Sequence, residues 1–198
     1  SNTTGSENTA IGLQAMYSNT TGPNNTALGY QAMYSNTTSG YNTAIGREAL
    51  RSNTSVGAAN VAIGYQAAYN TDASNNVAIG YTALRQNTSG ASNIAIGLEA
   101  LYSNTTASNN TAVGYQSLKE NTTGTANVAL GSYALDANTT ANSNTAVGFG
   151  SLSANTTGAQ NTALGEGSLE NNTTANNNTA VGYQAGYTGT TATSNTAV

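Results

Sequence analysis

Catalysis would have to come from carboxylates. The sequence holds eight, Glu7, Glu48, Asp72, Glu99, Glu120, Asp136, Glu166 and Glu170, and it has no His and no Cys. The commonest general base and the thiol nucleophile are therefore missing. Glu166 and Glu170 stand closest together, and a solvated turn explains them without chemistry. A repeated calcium site would need an acid at one fixed place in each repeat, and no such place exists. Glycine spacings that imitate a phosphate loop are not followed by Lys-Ser or Lys-Thr. The expectation is a chain that is not an enzyme, with no catalytic residues, no metal ligands and no cofactor.

Tyrosines are the better binding candidates. Tyr17, Tyr34, Tyr69 and Tyr102 recur in one register, and Tyr30, Tyr65, Tyr81 and Tyr115 in another. Exposed aromatics offer flat faces to sugars and proteins, and they can equally stack on one another. Asn-Thr-Thr tripeptides match the glycan acceptor pattern, but their regular placement points to a structural ladder.

The elements that position these residues follow from an internal repeat, the first feature to establish in such a chain. An Asn opens each "N[TVI]A[ILV]G" block at 8, 25, 42, 60, 76, 93, 110, 127, 144, 161, 178 and 195, so the spacing is 17 except for one 18 and the 16 that follows it. A second Asn series, 2, 19, 36, 53, 70, 87, 104, 121, 138, 155 and 172, keeps strictly to 17. An insertion in "NTSVGAAN" is thus cancelled by a deletion in "GYQAAYNT". The consensus is N-T-A-V-G-Y-Q-A-L-Y-S-N-T-T-G-x-N, numbered here as positions 1 to 17. The sequence enters and leaves in mid-repeat without a polar cap, as a segment of a longer array would.

A 17-residue unit is too short for two-helix repeats and suits one coil of a β-solenoid with two short strands and two turns. Position 3 is always Ala and position 4 always Ile, Leu or Val. Alternation puts positions 2 and 4 on one face and Ala with Gly on the other. Both faces are uncharged, so two partners are needed. The larger aliphatics are expected to fill the coil. The small face, Ala10, Ala27, Ala44, Ala62, Ala78, Ala95, Ala112, Ala129, Ala146, Ala163 and Ala180, is expected to be the seam of a homotrimer. Leu at position 9 is expected inside, and positions 6, 7 and 10, which accept either charge, outside. "EALR" and "YQAL" leave a single helical turn per repeat as an alternative. Fixed Asn and Thr positions would form ladders between coils, and about eleven coils give a rod on the order of 50 Å long.

Composition narrows the function further. Charged residues make up 6 %, against roughly 25 % in ordinary domains, yet the regular apolar period argues for order. A net charge of −4 with no basic stripe excludes a nucleic-acid footprint. No apolar run approaches a membrane span. The absence of Cys permits an extracellular location.

The blocks "NTAIG", "NVAIG" and "NTAVG" resemble the head repeats of YadA-like trimeric autotransporter adhesins. They are also similar to Asn/Thr-rich repeats of phage tail-fibre proteins that carry an endosialidase-type chaperone domain. The resemblance runs through the whole chain. It implies an all-β, left-handed parallel β-roll assembled as a homotrimer, at the cell surface, outside the cell or on a virion tail. The repeat here is longer than in those heads, through its "NTTG" loop, and no neck, stalk or anchor is seen. Three functions are expected in order: a rod-like adhesin or tail-fibre segment that attaches to a host-surface glycan or protein; an extracellular filament of stacked coils; and an ice-binding solenoid. The last is weakened where Val61, Val77, Ile94 and Val128 replace Thr, and at Thr54-Ser55 and Thr71-Asp72.

Overall fold

The computed structural model describes residues 2–54, 57–189 and 191–198; Ser55, named above, lies outside them. Among the described residues there are twelve short strands and no helix. They run from β1 (Thr9–Ile11) and β2 (Thr26–Leu28) through β7 (Thr111–Val113) and β8 (Val128–Leu130) to β12 (Thr196–Ala197). Each strand pairs in parallel with the next in sequence order, in one sheet. Like stands on like: Thr111 on Val128, Ala112 on Ala129, Val113 on Leu130. This is a parallel β-solenoid with one three-residue strand per coil, where two strands were expected.

The reason lies in the backbone after the strand. Gly114 ends β7 with φ 138° and donates its N–H to the Ile96 carbonyl at 2.8 Å. A Cβ there would sit 2.5 Å from the Gly131 carbonyl oxygen of the next coil, so only glycine fits. Gln116 and Leu118 then adopt φ 53° and 49°, left-handed values that cost a non-glycine residue roughly 1–2 kcal/mol each. They rule out the helical-turn alternative. The alternating handedness lets Gln116 donate back to Leu98 at 2.9 Å and Leu118 forward to Ala134 at 3.0 Å. Hydrogen bonds between coils and burial of the Leu side chain offset the strain.

The core reverses one sequence expectation. Ala27 through Ala180 at position 3 are fully buried within the single chain, packed with Ala at position 8 and Leu at position 9. Ala10, in the first coil, is exposed. The aliphatics at position 4 point out instead: Ile11 is 60 % exposed, Leu28 44 % and Leu130 47 %. A coil with so short a strand has room for one large and two small side chains. Leu takes the large place, so the strand must turn its Ala inward. An enclosed Ala column cannot meet another chain, and it is not a trimer seam. Ser117, Ser151 and Ser168 replace Ala at position 8 and bond inside the coil, to Gly114, Gly148 and Gly165 carbonyls at 3.2, 3.0 and 2.8 Å.

Two buried Asn ladders complete the interior. In the position-1 ladder each side-chain oxygen accepts the backbone N–H of the Asn one coil on, as Asn93 does from Asn110 at 3.0 Å. From Asn8 to Asn161 each amide nitrogen donates to a turn carbonyl, as Asn110 does to Gly124 at 2.9 Å. In the position-12 ladder amides bond amides: Asn121 to Asn104 at 3.1 Å and Asn138 to Asn121 at 2.9 Å. Buried polar groups are thereby satisfied without charge. Asn70 does not belong to this ladder, contrary to its 17-residue spacing. Thr71 is the buried residue there and receives Asn87 at 3.5 Å. The deletion therefore falls in the "NTDAS" loop and not in "GYQAAYNT". The Asn36 and Asn53 side-chain oxygens are left without partners beside it.

Candidate functional site

Each coil shows three kinds of outward stretch. Positions 2 and 4 give a Thr/aliphatic stripe, positions 13 and 14 a Thr-rich one, and positions 6, 7, 10 and 11 carry nearly all the aromatic and charged side chains. The Thr-rich stretch is bonded into the fold, with Thr105 Oγ1 donating to the Thr122 carbonyl at 3.1 Å and Thr122 Oγ1 to Thr139 at 3.0 Å.

The candidate tyrosines come together as two columns along the rod. At position 10, Tyr17 stacks on Tyr34 with centroids 5.2 Å apart and planes at 4°. The Arg51 guanidinium then lies 5.1 Å from the Tyr34 ring and 5.6 Å from Tyr69. Arg85 lies 5.4 Å from Tyr69 and 5.9 Å from Tyr102. At position 6, Arg47 sits between Tyr30 and Tyr65 at 5.5 and 5.8 Å, and Tyr65 stacks on Tyr81 at 5.1 Å. Tyr115 meets Tyr133 edge-on at 5.1 Å, and Tyr133 meets Phe149 at 5.9 Å. Tyr34, Tyr65 and Tyr69 thus have both ring faces taken up by neighbours one coil away and present ring edges and hydroxyls, whereas Tyr17 and Tyr81 each stack on one neighbour and stay more exposed. The interleaving arginines, Tyr133 at position 7 and Phe149 lie outside the tyrosine series of positions 6 and 10. The signal for them was present: position 10 alternates Tyr and Arg every coil from Tyr34 to Tyr102.

Amides and charges tie the columns together. Arg51 Nε donates to Gln31 Oε1 at 3.1 Å and its Nη1 to the Tyr69 hydroxyl at 3.1 Å. Arg85 repeats the pattern with Gln66 at 2.9 Å and Tyr102 at 3.3 Å. Lys119 continues the column and pairs with Glu99 at 3.3 Å and Glu120 at 3.8 Å. Asp136 follows it. Partial burial, with help from the Glu120 charge, pushes its carboxyl up to about 6, against the pull of the backbone N–H groups of Asp136 and Ala137 and of Lys119.

Glu166 and Glu170 stand on this same flank, at positions 6 and 10. Among the described residues no group of three or more His, Cys, Asp or Glu is placed to hold a metal ion, and no helix is long and apolar enough to cross a membrane. The Asn of most Asn-Thr-Thr tripeptides, including Asn19, Asn104, Asn121 and Asn138, are fully buried, so their amide nitrogens are out of reach of a modifying enzyme; Asn2, in the first coil, is exposed.

The fold and this surface define a β-solenoid repeat protein. The chain matches no known protein family, no curated protein and no solved structure.

Proposed function

We propose that the chain is a structural attachment segment: a stiff rod that assembles as a parallel homotrimer and holds a binding surface outward, in an adhesin or tail fibre outside the cell, on its surface or on a virion. The observation that carries this reading is the stripe of positions 2 and 4. Exposed apolar patches of this extent mark interaction surfaces. This one recurs at every coil with a fixed axial step, and the partner that matches such a step along the whole length is another copy of the same chain. The seam moves from the Ala column to Thr111, Val113, Val128, Leu130 and their counterparts. Left-handed coiling, as the resemblance implies, completes the arrangement.

Molar mass in solution, by light scattering after size exclusion, tests it. Three chains are expected. Ile79→Glu with Val113→Glu is expected to give single chains that keep their β-type circular dichroism, because both side chains point away from the core. A monodisperse single chain for the unaltered protein would sink the trimer. Long concentration-dependent fibres would favour the filament. The ice-binding reading gains from the stripe, since Thr111, Thr145, Thr162 and Thr179 face outward with the aliphatics. Thermal hysteresis from monomeric protein would select it.

A further inference from the structure

The charged and aromatic flank differs in kind from the rest of the rod. Ten of the twelve charged side chains and eleven of the twelve tyrosines stand at positions 6, 7, 10 or 11. The stripe of positions 2 and 4 repeats almost unchanged, which suits an identical partner. The flank varies from coil to coil, which suits a partner of another kind. Within it the position-10 column has a spacing of its own. Arg51, Arg85 and Lys119 are 34 residues apart, two coils or about 10 Å along the axis. Tyr34, Tyr69 and Tyr102 alternate with them.

The chemistry of that column is one-sided. A guanidinium has five N–H donors and no acceptor. Arg51 uses two of them within the chain, on Gln31 and Tyr69, and Arg85 uses two on Gln66 and Tyr102, which leaves three on each. The Tyr69 and Tyr102 oxygens accept from these arginines, so their hydroxyl hydrogens are turned to donate elsewhere. The outer edge of the column is thus a row of donors. Among the described residues neither Arg51 nor Arg85 forms an ion pair, so their charges are uncompensated. Further along the same column come Asp136 and Glu170, which repel an anion and end the favourable stretch at Lys119.

We propose that the column from Tyr34 to Lys119 is a track for an extended, linear acidic polysaccharide in which uronate units alternate with neutral sugars, one sugar to each coil. An extended sugar unit advances by about as much as one coil, so alternate carboxylates fall opposite Arg51 and Arg85, and Lys119, already paired with Glu99 and Glu120, closes the track. Neutral units fall opposite Tyr34, Tyr69 and Tyr102, whose hydroxyls meet sugar oxygens. Guanidinium forks match carboxylates in geometry as well as in charge. The track names the glycan class for the attachment function and rests on that reading, but not on the oligomeric state.

The experiment measures fluorescence anisotropy of a labelled hyaluronan decasaccharide, in which glucuronate alternates with a neutral N-acetylhexosamine. Competitors are a neutral chitin oligosaccharide, polygalacturonate with a charge on every unit, and inorganic polyphosphate. Saturable binding to hyaluronan is expected, with each competitor at least several-fold weaker. Arg51→Gln and Arg85→Gln are each expected to weaken it roughly tenfold, and Tyr69→Phe to weaken it several-fold with the stack intact. Arg51→Lys with Arg85→Lys keeps the charge and removes the fork, and is expected to lose most of the binding. Circular dichroism and melting confirm that each variant is folded. Absence of saturable binding, equal affinity for polyphosphate, or Arg-to-Lys variants that bind like the parent would overturn the track. Binding by a single chain would sink the trimer and leave the track standing; a trimer without binding would do the reverse.

Discussion

At the scale of single residues, glycine and asparagine bear most of the constraint, and not all glycines are equal. Gly114 lies at φ 138° with the Gly131 carbonyl 2.5 Å from where a Cβ would be. Gly114→Ala is expected to cost about 3 kcal/mol through strain and overlap with the next coil, read as a lower denaturant midpoint. Gly150 has φ 62° and nothing within 4 Å of its missing Cβ, and other coils place Gln at this position with similar φ. Gly150→Gln is expected to change stability by less than about 1 kcal/mol. A large loss there would show that the left-handed position is selective after all. Asp136 gives a pH signature. Its carboxyl is raised to about 6 in the folded chain from an ordinary 3.8, so folding favours the protonated form. Its contribution is complete below pH 3.8 and is lost as pH rises through about 6. Asp136→Asn is expected to remove this dependence and to raise the melting temperature at neutral pH relative to the parent. Melting curves across that range check it.

The coil is the element, and its ladders set its local strength. The position-12 ladder is continuous from Asn87 to Asn172, reaches Thr71 by a long bond and breaks between Asn36 and Thr71, where the loops after Asn53 and Thr71 are one residue longer and one shorter than the rest. An unpaired buried amide oxygen costs more than a missing bond returns. Thr71→Asn supplies a donor towards Asn53 and is expected to raise stability by about 1 kcal/mol. Amide exchange around residues 50–73 should slow with it, and unchanged exchange would mean that the short loop alone sets the weakness. Much of this was legible in the sequence: period, parallel stacking, Leu inside and variable positions outside. The placement of the deletion was not. Asn70 keeps the 17-residue spacing by coincidence, and only the hydrogen bonds show Thr71 in the ladder.

For the whole molecule, charge is distributed unevenly. Residues 1–119 hold four cations and four acids and are neutral; residues 120–198 hold Glu120, Asp136, Glu166 and Glu170 and no cation, which accounts for the entire net charge of −4. In a parallel trimer these acids of three chains stand at equal heights. Their repulsion is screened by salt over about 10 Å at 0.1 M. Dissociation of the trimer, followed by light scattering on dilution, is therefore expected to shift to lower protein concentration as salt is raised. The opposite shift would argue against parallel alignment.

Periodicity by itself determined the solenoid, though not the single strand per coil, because a repeat that holds its register over the whole chain has few ways to pair its backbone except coil upon coil. It also determined that Asn and Thr would bond in ladders from coil to coil, since nothing else explains so polar a sequence with so little charge; that the Asn ladders lie buried inside the coil came from the structure. Which side of the strand faces inward was undecidable from the pattern. Alternation defines two faces but not the width of the space behind them. The tertiary structure decided it: left-handed turns at Gln116 and Leu118 draw the coil so narrow that Leu fills it, Ala lines it, and Val113 is left outside.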